Sequence, residues 1–227
     1  MLASIIVTNY NYSKFLRRCL RSCLNQKTRY TYEVILIDDN SKDGSAKIAK
    51  EFENIKNFKF IKNKKNLGIA MSANKAIKKS KGKFFLRVDA DDFISNFTID
   101  QLLFFLIQSK GLLGVACDYS LIDKKERKIK NINAKQNPIS CGILYNKKKF
   151  FELGGYNNKF RHREEEEFRA RSDDKYKIGY LNIPLYRYRM HNENKTKSDS
   201  YKYFYKNKLD KLKNKILVKK IKEKKYF

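Results

Sequence analysis

The sequence is poor in glycine, proline and histidine, has no Cys-x-x-Cys pair and contains no long apolar run. Two Pro and nine Gly among 227 residues argue against a collagen-like or low-complexity chain. Neither Gly-x-Gly-x-x-Gly nor Gly-x-x-x-x-Gly-Lys occurs, so neither a dinucleotide fold nor a P-loop is supported. The four Cys (Cys19, Cys23, Cys117, Cys141) and two His (His162, His191) include no Cys-x-x-Cys pair, which argues against a structural zinc site. Cys19 and Cys23 stand one helical turn apart among Phe15, Leu16, Leu20 and Leu24. They read as small core residues, in keeping with a reducing cytoplasm. No apolar stretch approaches the roughly 20 residues of a membrane span, and the N-terminus lacks the basic start of a signal peptide. The expectation is a cytoplasmic protein, soluble or peripheral at the inner face of the cytoplasmic membrane.

What is abundant is positive charge. Lys and Arg number 52 against 24 Asp and Glu, a formal charge of +28, which favours anionic partners: nucleotide phosphates, acidic lipids or nucleic acid. Hydrophobic residues make up 41%, enough for one domain with a buried core and a tail.

Patterning gives an α/β protein. Leu2 to Thr8 and Glu33 to Ile37 read as buried strands, with further strands around Phe58 to Ile61 and from Phe84 to Val88. Helices lie between them: one capped by Ser13 with Phe15, Leu16, Cys19 and Leu20 inward, one with Ile48, Ala49 and Phe52, and one opened by Asn66-Leu67-Gly68. This β-α-β-α-β-α-β order predicts a doubly wound, mostly parallel sheet flanked by helices. Its strands end in polar residues at Asn9, at Asp38 and Asp39, and at Asp89 to Asp92. Parallel strands bring such ends to one edge, where open α/β sheets bind ligands. Three carboxylates within Asp89-Ala90-Asp91-Asp92 repel one another, and a hard divalent cation, Mn²⁺ or Mg²⁺, shared with substrate phosphates would relieve this. The alternative is a solvated acidic turn capping the next helix.

The second half is less regular. Phe93 to Lys110 reads as a helix, Leu112 to Leu121 and Lys128 to Asn133 as a hairpin, Ile139 to Tyr145 as a strand and Lys147 to Leu153 as a short helix. Glu164-Glu165-Glu166-Glu167 opens a helix, either as a solvated face paired to Arg169 and Arg171 or as a site whose helix N-terminus favours ionised carboxylates. Lys177 to Tyr180 and Leu185 to Met190 read as a last strand pair before His191, on spacing alone an ordinary surface histidine or a metal or phosphate ligand. Tyr201 to Lys225 repeats apolar residues at helical spacing amid lysines. That tail reads as a basic amphipathic helix, packed on the domain or a second subunit, or laid on an anionic membrane.

Four stretches, Ser4-Ile5-Ile6-Val7-Thr8-Asn9-Tyr10-Asn11, Val34 to Ser45, Asn66-Leu67-Gly68 and Asp89-Ala90-Asp91-Asp92, resemble in order and spacing the family 2 inverting glycosyltransferases of the GT-A fold. The resemblance spans residues 1 to about 195. It implies a nucleotide-binding half (1–92), an acceptor half (93–195) and, outside it, the basic helical tail (196–227). It also implies sugar transfer from a nucleoside diphosphate sugar, a UDP-sugar first, to a glycan or lipid-linked acceptor in bacterial surface polysaccharide or lipid-linked glycan synthesis. By the same likeness, Thr8, Asn9, Tyr10 and Asp39 line the base pocket and Asp89 approaches the ribose. Asp91 holds the metal, with Asp92 as the alternative ligand and Arg87 nearby to assist. Glu165 is then the base that deprotonates the acceptor, with Glu164 and Glu166 as neighbours and Glu in place of the usual Asp. Tyr186 to His191 is similar to the closing motif, whose His lies near the diphosphate and metal. A single base opposite the leaving group implies inversion.

Two rival functions remain at this level. A sugar nucleotidyltransferase would show a Gly-rich basic N-terminal loop, and Leu2 to Tyr12 has no Gly. A non-enzymatic nucleic-acid binder fits +28 and fifteen Tyr, but acidic strand ends would repel its phosphates, so no nucleic-acid partner is expected. A homodimer through the tail is the remaining expectation about partners.

Overall fold

The computed structural model describes residues 1–160, 163–172 and 175–191, together with Asn207, Asp210, Lys211 and Asn214. Apart from those four positions, the tail and the expectations attached to it lie outside the described residues, as does His162. The elements run β1 (Ala3–Asn9), α1 (Ser13–Leu24), β2 (Tyr32–Asp38), α2 (Ser45–Lys50), β3 (Phe58–Lys62), α3 (Ile69–Lys79), β4 (Phe84–Asp89), β5 (Phe93–Ile94) and α4 (Thr98–Gln108). They continue with β6 (Gly114–Ile122), β7 (Lys128–Ile132), β8 (Ile143–Asn146), α5 (Lys147–Glu152), α6 (Glu164–Ser172) and β9 (Ile178–Arg189). Among the described residues no helix is long and apolar enough to cross a membrane.

One sheet carries the strands in the order β3-β2-β1-β4-β8-β6-β9-β5, with β7 paired to β6. The first four strands are parallel, as their continuous apolar runs predict. Beyond β4 the sheet is mixed: β8 is antiparallel to both β4 and β6, and β9 runs parallel to β6. Register does the positioning. Asn9 lies opposite Asp38 across the β1–β2 pair, and Thr8 opposite Asp89 across β1–β4, so three polar strand ends meet at one edge. Gly82 allows β4 to enter beside β1, because a Cβ there would stand 2.6 Å from the backbone carbon of Ala3.

Three local expectations are corrected. Ser13 does not cap α1; it is the first helical residue, and its N–H donates to the Asp43 carboxylate at 2.8 Å. The helix expected from Phe93 begins only at Thr98, because Phe93 and Ile94 pair with Tyr186 and Arg187 of β9 as a short edge strand. The last strand pair is one strand. Exposed Asn182 and Ile183 and the donor-less Pro184 read as a break, but there the chain bulges and β9 continues along β6.

The core includes a ring cluster beneath α6. Phe150 packs 4.6 Å from Phe168 and 4.9 Å from Phe85 and Tyr156, and Tyr145 packs 5.7 Å from Phe168. Phe168 anchors α6 on this cluster, and that seat fixes where the acidic head of the helix points.

Candidate active site

At the β1 and β2 ends, two loops are laced together by one carboxylate. Asp38 accepts from Asn9 Nδ2 at 2.7 Å and from Ser41 Oγ and N at 2.5 and 3.0 Å. Asn11 N in turn donates to Ser41 Oγ at 2.8 Å. Asn11 and Asn40 both adopt positive φ, 59° and 64°, a conformation Asn tolerates better than most residues and one typical of loops shaped for a ligand. Asp39, its neighbour, accepts from Asn63 Nδ2 at 2.9 Å and from the backbone N–H groups of Leu67 and Gly68, each at 2.8 Å. Two separate sequence signals, Asp38-Asp39 and Asn66-Leu67-Gly68, are therefore one contact. Three bonds leave the Asp39 carboxylate about one acceptor position. Thr8 Oγ1 donates to Asp89 Oδ1 at 2.9 Å, and Tyr10 is half-buried in the first loop.

The Asp89-Ala90-Asp91-Asp92 turn separates its carboxylates by task. Asp92 is buried; its Oδ2 accepts from Tyr186 OH at 2.7 Å and its Oδ1 from Arg189 N at 2.8 Å. Burial, helped by the Asp91 and Asp89 charges, holds its carboxyl well above the ordinary range. Asp92 thus ties the turn to β9. Asp91 Oδ2 instead lies 2.9 Å from His191 Nε2, while the Asp91 carbonyl accepts from Arg189 Nε at 2.9 Å. His191 is packed by Phe15, whose ring centroid is 4.9 Å away, and by Tyr12 at 5.7 Å. A carboxylate oxygen and an imidazole nitrogen suit Mn²⁺ and, through oxygen, Mg²⁺. Among the described residues no three His, Cys, Asp or Glu side chains gather at metal spacing. Two protein donors with the remainder from phosphate and water is how such ions are commonly held at phosphate sites.

The acidic run at the head of α6 is not a solvated face. Glu164, Glu165 and Glu167 are buried, and only Glu166 is half-exposed. Glu164 accepts from Arg87 Nη1 at 2.7 Å, and Arg87 Nε stands 3.8 Å from Asp89. Glu165 accepts from the hydroxyls of Tyr145 and, at 2.8 Å, Tyr156, with Arg169 at 3.8 Å. Burial raises its pKa against the pull of Arg169, Arg87 and the two tyrosine bonds. Glu167 meets Arg171 in a bidentate pair at 2.7 and 3.0 Å, and Arg171 also reaches the Gly155 carbonyl at 2.7 Å. The structure therefore brings Thr8, Asn9, Asp39 and Asp89 to one edge and joins Asp91 to His191. It turns Asp92 and Glu165 inward onto tyrosines.

Sequence reading placed Tyr186 and Arg189 in the stretch like the closing motif but gave a role there only to His191, and it gave none to Tyr145 or Tyr156. Tyr186 and Arg189 sit in a strand ending beside an acidic turn, and a buried arginine or tyrosine near such acids is the signal that could have found them.

Residues 4–163 match the family profile described as Glycosyl transferase family 2. The chain belongs to this family. Among curated relatives, this family 2 chain is 33% identical over 152 residues to chondroitin synthase of Escherichia coli, covering 65% of this chain and 20% of that one. It is 30% identical over 146 residues to the poly(ribitol-phosphate) beta-N-acetylglucosaminyltransferase TarS of Staphylococcus aureus, covering 60% and 26%. It thus spans only about a fifth to a quarter of these relatives' length. The crystal structure of Staphylococcus aureus TarS 1–349 in complex with UDP-GlcNAc superposes with a TM-score of 0.72 at 21% identity, over 87% of this chain and 61% of that chain. A mannosyltransferase from Pyrobaculum calidifontis in complex with GDP-Man and Mn²⁺ gives 0.68 at 15% identity, over 85% and 58%. The fold is that of these GT-A enzymes.

Proposed function

We propose that the chain moves a sugar from a nucleoside diphosphate sugar to an acceptor hydroxyl with inversion, assisted by a divalent metal. A UDP-sugar is the first candidate donor, since TarS is solved with UDP and UDP-GlcNAc; GDP-sugars come next. The observation that carries this reading is the Asp91–His191 contact of 2.9 Å at the strand edge where Thr8, Asn9, Asp39 and Asp89 also end. Under this reading Thr8 to Tyr10 and Asp39 receive the base, Asp89 the ribose, and Asp91 with His191 the metal. A divalent ion there would neutralise the charge that develops on the leaving diphosphate.

Glu165 is proposed as the base, with Glu164 beside it. A carboxyl whose pKa is raised by burial is the stronger base once ionised. Both its oxygens are engaged, so the role requires one tyrosine bond to be exchanged for the acceptor hydroxyl. The acceptor is proposed to be a glycan or lipid-linked saccharide of a bacterial surface polymer, in keeping with relatives named as a chondroitin synthase and a poly(ribitol-phosphate) beta-N-acetylglucosaminyltransferase.

The test is a thermal-shift panel of UDP, GDP, CDP, TDP and their sugars with and without Mn²⁺, on the native protein and on Asp91→Ala. Ligands that bind the folded state raise its melting temperature by mass action. One nucleotide should give a Mn²⁺-dependent shift that the variant loses; no shift with any of them counts against the reading. Transfer to acceptors then compares Glu165→Gln with Glu164→Gln, and retention of transfer by Glu165→Gln would move the base to Glu164.

A further inference from the structure

Arg87 is the largest fully buried side chain among the described residues, and burying its charge is costly. Its Nη1 donates to Glu164 Oε1 at 2.7 Å, while its Nε stands 3.8 Å from Asp89 Oδ1. Its guanidinium lies 5.3 Å from the ring of Tyr156, the same tyrosine whose hydroxyl donates to Glu165. Nε and Nη2 are out of contact with solvent and meet no oxygen or nitrogen acceptor among the described residues, with only the Cys141 thiol beside the guanidinium. Two buried, unsatisfied donors and two desolvated charges cost stability, and a buried ion pair often does no better than an apolar pair of like size. A stability role therefore explains Arg87 poorly.

Its neighbours supply another reason. Asp89 belongs to β4 and the donor edge, whereas Glu164 is the first residue of α6, next to the proposed base. We propose that Arg87 is a positioning residue that couples the donor-binding end of β4 to the head of α6, so that donor binding at Asp89 fixes the Glu164–Glu165 pair at the start of that helix. The coupling runs on two legs: the ion pair to Glu164, and the guanidinium stacked beside Tyr156, which holds Glu165. Replacing both charged partners by apolar residues removes the link without leaving a lone buried charge. This inference rests on the glycosyl-transfer reading.

The experiment compares the native protein with the double variant Arg87→Met/Glu164→Leu, using whichever nucleoside diphosphate the thermal-shift panel selects, together with Mn²⁺. Three quantities are read: melting temperature, nucleotide affinity, and amide hydrogen exchange of α6 with and without nucleotide. In the native protein, nucleotide binding should slow exchange in residues 164–172. In the double variant the melting temperature should be unchanged or higher, and affinity should stay within about threefold. The slowing in α6 should be lost. The single variant Arg87→Met, which strands Glu164, should melt lower than either.

Native α6 exchange that ignores bound nucleotide, or a double variant that keeps the α6 response, overturns the coupling alone. A double variant that melts far below the native protein makes Arg87 a stability element and overturns it too. Failure of the native protein to bind any nucleotide overturns the transfer reading itself.

Discussion

Asp91 and His191 are 100 positions apart in the chain, and their side chains meet at 2.9 Å. A contact that closes so long a stretch at a sheet edge exists only if β9 is in register. If it holds the metal, His191→Ala should weaken Mn²⁺-dependent nucleotide binding by about 10- to 100-fold, and Asp91→Ala by at least as much. Calorimetric titration of the diphosphate with and without Mn²⁺ checks this. Equal affinity in His191→Ala would remove the imidazole from the site.

Glu165 makes a pH prediction. Its folded-state pKa is raised by burial, so the native state binds more protons than the unfolded chain from the ordinary carboxylate range upward. Stability attributable to this group is therefore highest at low pH and falls as pH rises through that window. The isosteric Glu165→Gln lacks the titration. Urea denaturation at about pH 5 and about pH 8 should show the variant gaining on the native protein as pH rises. A stability of the variant relative to the native protein that stays flat or falls between the two pH values would contradict the raised pKa.

Asp39 should prove structural as well as functional. Asp39→Asn replaces an oxygen acceptor by an amide donor against the N–H groups of Leu67 or Gly68 or the Asn63 amide. A loss of about 1–3 kcal/mol in denaturant stability is expected from the orphaned donor, alongside weaker nucleotide binding. Weaker binding at native stability would mean that the turn before α3 does not depend on this carboxylate.

Gly82→Ala should destabilise by about 1–3 kcal/mol or more through overpacking. The new methyl would meet Ala3 and Phe84 backbone atoms at 2.6 and 2.7 Å, and backbone cannot swing aside as a side chain can. Thermal denaturation of the two proteins decides it.

The parallel half was legible because its signals are local. Apolar runs, a turn residue after each, and acids at the strand ends announce β1 to β4 and the edge they share. The Asp38-Asp39 and Asn66-Leu67-Gly68 signals could be recognised separately, but their contact depends on α3 folding back over β2. The choice between Asp91 and Asp92 could not be read from spacing. It is argued by Tyr186 and Arg189, whose approach depends on β9 joining the sheet beyond β6. The four glutamates were ambiguous for a similar reason: only the aromatic seat of Phe168 decides which of them face inward.

β9 has a consequence for the order of events during synthesis. Tyr186 and Arg189 arrive on this one strand and His191 just beyond its end, and β5 pairs with β9. A nascent chain can assemble β1 to β4 while β9 is still inside the ribosome, but Asp91 and Asp92 then lie without these partners and repel each other. Domains tend to fold from the N-terminal side as they emerge. The acidic turn can therefore take the arrangement described above only after residue 191 has cleared the exit tunnel, so a stalled or cleaved chain ending before β9 would carry Asp89 to Asp92 without the contacts that hold them.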